Sequence, residues 1–234
     1  MQAQFERTGL VLGEAALERL FSARVAVFGV GGVGGYAVEA LARAGIGALD
    51  LFDPDTVSET NINRQLHALH STVGRYKTDV AAERVRDINP EIKVTAHHLF
   101  DLPENADEID LSVYDYIVDA IDTVVAKLEL ARRATALGIP IIASMGTGNK
   151  LDPSRLCVTE IEKTSVCPLA RTVRGLCRKH GIKRLRVVYS TEEPSGSTLD
   201  DGHGRHAPGS VSFVPATAGL LIAGEVIRTL TKEQ

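Results

Sequence analysis

The chain has no tryptophan, and aromatic residues make up only 5% of it. A surface that reads nucleic acid mainly by stacking bases on rings is therefore not built in. Cysteine is scarce: Cys157, Cys167 and Cys177 form an odd set without a Cys-x-x-Cys pair. That argues against a disulfide framework or a four-cysteine zinc site and fits a reducing compartment. No apolar run reads as long enough to cross a bilayer, and the amino terminus lacks a basic-then-apolar leader. A cytoplasmic protein without a membrane span is expected. Excess charge of one sign is missing too, with 26 basic against 30 acidic side chains and a formal net charge of −4. Overall charge thus announces no polyanionic partner, although a local patch still could.

What remains is a chain long enough for one generous domain with a sizeable core. Residues 13–21, "GEAALERLF", carry apolar side chains at helical spacing. "RVAVFGVGGVGGYAVEALARAGIG" reads as an apolar strand, a glycine turn and a helix ending near Gly45 or Gly47. "ALDLF", "IKVTAHHL", "YDYIVDAID" and "IPIIAS" read as strands, interleaved with helical "YKTDVAAERVRDINP" and "VVAKLELARRATALG". This alternation predicts an α/β, Rossmann-like fold: a mostly parallel sheet with helices on both faces. From Gly146 the texture changes to strands "SRLCVTEI" and "LRVVYSTEE" around a basic helix, then a final apolar helix "PATAGLLIAGEVIRTL". One domain over residues 1–234 with a modified carboxyl-terminal third is expected, with the Gly/Pro/Ser-rich stretch 194–210 as a mobile loop.

Gly29, Gly31 and Gly34, with Gly32 in the same turn, satisfy G-x-G-x-x-G directly after a strand and at the start of a helix. Such a turn lets phosphates approach backbone N–H groups at the positive helix end. Asp53 ends the next strand, where a carboxylate can accept hydrogen bonds from ribose hydroxyls; Asp55 reads as a turn residue. So far a nicotinamide dehydrogenase fits equally well. Asn61, Asn63, Arg64 and Lys77 do not suit it, because hydride transfer needs no cationic clamp. An arginine and a lysine beyond a glycine turn can neutralise a triphosphate and the charge of a phosphorus under attack. Asp122 in "DAIDT" falls at the end of another strand, where a carboxylate can hold Mg²⁺ against phosphates. Its neighbour Asp119 is equally acidic, and spacing does not choose between them.

In this order "GVGGVGGYAVEALARAGIG", "DPDTVSETNINRQ", "VGRYK" and "DAIDT" resemble the ATP-dependent activating enzymes of the ThiF/MoeB superfamily. The resemblance implies Asp53 on ribose, Asn61, Arg64 and Lys77 on the triphosphate, and Asp122 beside Mg²⁺. It also implies a homodimer in which Arg7, in "RTGLVLG", reaches the ATP site of the neighbouring subunit. Sulfur-carrier adenylyltransferases of the superfamily carry paired Cys-x-x-Cys motifs, which this chain lacks. "GTGNKLDPSRLCVTEIEKTSVCPLARTVR" and "VVYSTEEP" instead resemble the tRNA threonylcarbamoyladenosine dehydratase family, including Asp152, Pro153, Thr159, Lys163, Thr164, Pro168, Leu169, Ser190, Thr191 and Glu192. The implied activity is ATP-dependent closure of a threonyl side chain into a ring beside the anticodon. The alternative is an adenylyltransferase acting on a ubiquitin-like or sulfur-carrier protein; a sulfur-transfer protein is an expected further partner. "GHGRHAPGS" stands where some members carry a cysteine, so no covalent cysteine step is assigned.

An independent pointer to tRNA is the run Arg171, Arg174, Arg178, Lys179, Lys183, Arg184 and Arg186, which no acid interrupts. A local basic patch on an acidic protein is the footprint of a phosphate backbone. Three other features carry less. Asp201, His203 and His206 lie in a glycine-rich stretch ill suited to a preorganised metal site. Cys167 and Cys177 read as buried thiols. His97 and His98 are adjacent on a strand and point apart.

Overall fold

The structure, a computed structural model, describes residues 2–99, 108–196, 198–200 and 206–232. Two short helices, α1 (Glu6–Leu12) and α2 (Glu14–Ser22), precede strand β1 (Arg24–Phe28). There follow α3 (Gly34–Ala44), β2 (Ala48–Phe52), α4 (Lys77–Ile88), β3 (Lys93–His97), β4 (Tyr116–Asp119), α5 (Val124–Leu137) and β5 (Ile141–Ser144). The carboxyl-terminal third adds β6 (Leu156–Glu160), α6 (Pro168–Lys179), β7 (Arg186–Ser190), β8 (Thr198–Asp200), β9 (His206–Pro208) and α7 (Phe213–Thr231).

Seven strands form one sheet in the order β3-β2-β1-β4-β5-β7-β6, parallel except for β6, which runs antiparallel to β7. Parallel strands buried on both faces need continuous apolar runs rather than alternation, and "VAVF" and "YIV" supply them. Odd and even residues of β1 feed opposite layers. Val25 and Val27 pack under α3 and α7 with Leu41, Ala218 and Ile222. Ala26 and Phe28 pack under α5 and α6 with Leu130 and Val173. The "modified" third is the antiparallel edge strand β6 with its connection through α6.

Helix α7 corrects one expectation. Phe213–Leu230 is long and apolar enough, by length and composition, to cross a membrane. Its apolar side is occupied within the chain, however: Val214, Ala218, Ile222, Ala223 and Val226 are buried in the core. A methyl group on Gly219 would lie 2.3 Å from the Val33 carbonyl oxygen, so only glycine lets α7 approach α3 this closely. The small residues Ala218, Gly219 and Ala223 therefore serve intrachain packing.

Within the stretch expected as a loop, β8 and β9 pair antiparallel, Thr198 opposite Pro208. Asp201 and His203 lie outside the described residues, as does the side chain of His206.

Candidate active site

The strand order reverses between β1 and β4, and a cleft of about 990 Å³ opens there at the carboxyl ends of the strands. Open parallel sheets hold ligands at this point, because the connections from neighbouring strands diverge to opposite faces. The glycine turn forms one wall. A methyl group on Gly34 would lie 1.8 Å from the Gly29 carbonyl oxygen, so the turn cannot be this tight with any other residue there. The N–H groups of Gly31, Gly32 and Val33 have no acceptor among the described residues. They stand at the amino terminus of α3, which is a ready anion site.

Asp53 ties this turn to β2. Its Oδ2 accepts from Val30 N at 2.8 Å and its Oδ1 from Asp55 N at 2.9 Å. Burial pushes its carboxyl above the ordinary value, against the opposing pull of Lys77. Lys77 is the first residue of α4 and is buried; its Nζ lies 2.6 Å from Asp55 Oδ2 and 3.8 Å from Asp53 Oδ1. Asp55 is therefore more than a turn residue, since it neutralises the lysine aimed at this corner. Sequence gave no signal for that pairing, which joins residues 22 positions apart.

Arg64 is different. It is half-buried in the cleft wall beside Gly32, with its Cγ 3.4 Å from where a methyl group on that glycine would stand. Its Nη1 is held by Thr60 O at 2.8 Å and Asn63 Oδ1 at 2.9 Å. No acid pairs with it among the described residues, and burial lowers its pKa from the ordinary value. Arginine remains charged regardless, so the corner presents a fixed, uncompensated cation. Asn61 lines the same wall; its Oδ1 accepts from Ser58 N, which leaves its Nδ2 without a described acceptor.

Burial distinguishes the two carboxylates at the end of β4. Asp119 is 1% exposed and bonded to Lys127 Nζ at 3.0 Å and Ile121 N at 3.1 Å. Asp122 is exposed and lines the cleft, and among the described residues its one hydrogen bond is from Thr123 Oγ1 at 3.3 Å. One free carboxylate opposite a phosphate corner suits Mg²⁺, which binds through few protein ligands plus phosphate and water. No group of three or more acidic, histidine or cysteine side chains is placed for a metal among the described residues. Arg7 lies exposed on α1 and is not part of its own chain's cleft.

Two asparagines close the far side. Asn149, at φ 56°, exchanges bonds with Gly209: its N–H donates to Gly209 O at 2.8 Å and its Oδ1 accepts from Gly209 N at 2.7 Å. Asn63 Nδ2 donates to Ser210 O at 3.0 Å. The segment Pro208–Ser210 is thus pinned across the cleft from both flanks. Several residues of the carboxyl-terminal motifs turn out to brace this wall. Glu192 accepts from Leu151 N and Asp152 N, each at 2.9 Å, and Lys150 Nζ donates to Glu192 O.

The basic run divides. Arg174 Nη1 donates to Thr164 O at 2.8 Å, Arg178 Nε pairs with Glu162 at 3.0 Å, and Arg186 Nε pairs with Glu225 at 2.7 Å. Arg171, Lys179, Lys183 and Arg184 remain exposed without a described partner. Arg171 and Lys179 lie on α6 and Lys183 and Arg184 just beyond it; the first turn of this helix reaches the cleft through Leu169. Cys167 and Cys177 are buried, and burial pushes the Cys177 thiol up to about 11. His97 stacks on Phe52 and pairs with Asp50, whereas His98 stacks on Tyr76 and pairs with Asp79.

Comparison with known proteins agrees with this geometry. The family model described as "ThiF family" matches residues 5–234. The chain is 43% identical over 245 residues to the tRNA threonylcarbamoyladenosine dehydratase of Bacillus subtilis, covering 100% of this chain and 96% of that one. It is 44% identical over 197 residues to the dehydratase of Escherichia coli, covering 81% and 74%. The E. coli enzyme, TcdA, in complex with AMP superimposes with a TM-score of 0.88 at 37% identity over 97% of this chain and 93% of that one. Its complex with ATP gives 0.86 at 36% over the same shares. A glycine corner facing an unpaired arginine, in a chain matched along its whole length, leads to one assignment: the protein belongs to the ThiF family, among the tRNA threonylcarbamoyladenosine dehydratases.

Proposed function

We propose that this protein uses ATP to cyclise, with loss of water, the threonylcarbamoyl group of a modified adenosine next to the tRNA anticodon. The observation that carries the reading is Arg64, a half-buried cation without an acid, set against the free N–H groups of the glycine turn. Such a corner binds and polarises a phosphate chain.

In the first step the threonyl carboxylate attacks a phosphorus of ATP. This gives an acyl adenylate with release of pyrophosphate, or an acyl phosphate with release of ADP. A nucleophile within the threonylcarbamoyl group then attacks the activated carbonyl carbon and closes the ring. The bond between that carbonyl carbon and the oxygen linking it to phosphorus breaks, the oxygen leaves as part of AMP or phosphate, and the nucleophile gives up its proton to solvent. Arg64 and Lys77 hold the negative charge that develops on phosphate oxygens, with Lys77 exchanging Asp55 for phosphate. Asp53 and Asn61 orient the ribose and the phosphate chain. Asp122 would hold Mg²⁺, which would supply further charge neutralisation there.

Arg171, Lys179, Lys183 and Arg184 would guide the tRNA backbone along α6 towards the cleft, with the half-buried Arg174 and Arg186 and the exposed but Glu162-paired Arg178 shaping that face. A homodimer with Arg7 donated to the neighbour is supported by α1 itself. Arg7, Leu10 and Val11 share one helical face, and the last two are 87% and 82% exposed. The cytoplasm is where such tRNA would be met.

The test is mass analysis of tRNA nucleosides after incubation with protein, ATP and Mg²⁺. ATP-dependent loss of one water from threonylcarbamoyladenosine is expected; an unchanged nucleoside refutes the reading.

A further inference from the structure

With aromatic residues so few, one pair of rings at the rim of the cleft stands out. Tyr76 and His98 stack face to face, their centroids 3.8 Å apart and their planes 9° from parallel. Both are exposed, Tyr76 at 42% and the His98 side chain at 37%. In such a pair each ring covers one face of its neighbour and leaves the other face free. The pair is also held from three sides. Tyr76 immediately precedes α4 and its backbone bridges to Thr56. His98 follows the last residue of β3. Its Nε2 donates to Asp79 Oδ1 at 2.9 Å, a carboxylate in the first turn of α4. A helix, a strand and a bond between them thus set the ring orientations before any ligand arrives.

The chain neighbours show where the pair stands. Lys77, next to Tyr76, and Leu99, next to His98, both line the cleft. The rings therefore form its rim at the β3–β2 end of the sheet, whereas α6 with its basic side chains connects β6 to β7 at the other end. Arg75, beside Tyr76 in sequence, is paired with Glu83, so its charge is compensated. What this rim offers is ring surface.

We propose that Tyr76 and His98 form a stacking platform for an RNA base, the one flanking the adenosine whose modified side chain enters the cleft. This rests on the reading of the chain as acting on a tRNA anticodon loop. For its threonylcarbamoyl group to reach the glycine turn, the adenosine must leave the stack of its own loop. The flanking base then loses a partner, at a cost in unstacking. A preset ring pair one residue from the cleft wall replaces that partner. Every base has a π face, so such a platform tolerates different sequences beside the adenosine.

The experiment is fluorescence titration of the full chain with an anticodon stem-loop that contains threonylcarbamoyladenosine. A purine analogue whose emission is quenched by stacking is placed in turn on either side of it. Wild type, Tyr76→Phe, Tyr76→Leu and His98→Leu are compared, with calorimetric titration of ATP for each. In the wild type one of the two probes should be quenched on binding. Tyr76→Leu should abolish that quenching and weaken RNA binding about five- to hundred-fold, the range for one base stacked on a ring. The slope of affinity against salt should not change, because stacking releases no counterions. Tyr76→Phe keeps the ring and should behave as the wild type, whereas His98→Leu should lose part of the quenching and affinity. ATP affinity should stay at the wild-type level throughout. Unchanged RNA binding by Tyr76→Leu, an equal loss in Tyr76→Phe, or ATP weakened in step with RNA overturns the proposal. Should Tyr76→Leu not fold, His98→Leu decides by the same readouts. A wild type that binds the RNA and quenches neither probe overturns the platform alone; one that binds no stem-loop refutes the tRNA reading together with it.

Discussion

At the scale of single residues, the site is a balance of paired and unpaired charge. Lys77 is held by Asp55 and Asp53, whereas Arg64 has no acid beside it among the described residues. Behind them lies His67, buried under α3, whose pKa falls to about 4 through desolvation and the nearby Lys77 charge. Above pH ~6.5 the ring is neutral whether the chain is folded or unfolded. Between ~6.5 and 4 the unfolded chain takes up a proton that the folded protein refuses, so stability falls as pH drops. The loss should approach ~1.4 kcal/mol per pH unit, roughly 3 kcal/mol over the window. Thermal unfolding across this range should show the slope in the wild type and lose it in His67→Gln; parallel curves would remove His67 as the cause. The positions of Asp53 and Lys77 at the cleft were legible in the sequence because one ends a strand and the other opens a helix, whereas Arg64, in the turn after Asn61, stood out only by its charge beyond the glycine turn. The roles of Asp55 and Asn149 were not legible, because their partners, Lys77 and Gly209, come from distant segments.

At the scale of elements, the loop after β4 is anchored by a buried ion pair. Asp119 holds Lys127 from α5 and the Ile121 N–H, which fixes the chain that presents Asp122. Removing one member leaves the other charged and unpaired in the core. Lys127→Met should therefore destabilise the protein by about 3–5 kcal/mol, and adding Asp119→Leu should recover much of that. Denaturant unfolding of the single and double variants measures it; additive losses would mean the two residues act independently. The strand and helix order was readable because apolar runs alternate with helical periodicity between turn signals. Helix α1 and the β8–β9 pair were not, since three-residue strands and a seven-residue helix leave too little pattern. The length of α7 against its burial was equally hidden: only the fold shows that Gly219 lets it lie against α3.

For the whole molecule, an acidic protein must still attract RNA. The seven basic residues from Arg171 to Arg186 have no acid among them in sequence, but folding brings Glu162 to Arg178 and Glu160 and Glu225 to Arg186. Four exposed cations remain, so the local field is weaker than the sequence alone suggests. Replacing Arg171, Lys183 and Arg184 by alanine should weaken tRNA binding and flatten its salt dependence by up to about three in log K against log salt. Arg174→Ala should instead lower stability, because its guanidinium braces Thr164. Filter binding over a salt series separates the two; an unchanged slope in the triple variant would place the RNA elsewhere.

The account turns on whether the cations beside the glycine turn act on a bound triphosphate. The most direct measurement is tRNA-dependent ATP consumption by Arg64→Ala, with folding verified by thermal unfolding. Turnover should fall roughly 10²–10³-fold, the scale for one preorganised electrostatic contact. A folded Arg64→Ala protein that consumes ATP at the wild-type rate would contradict it.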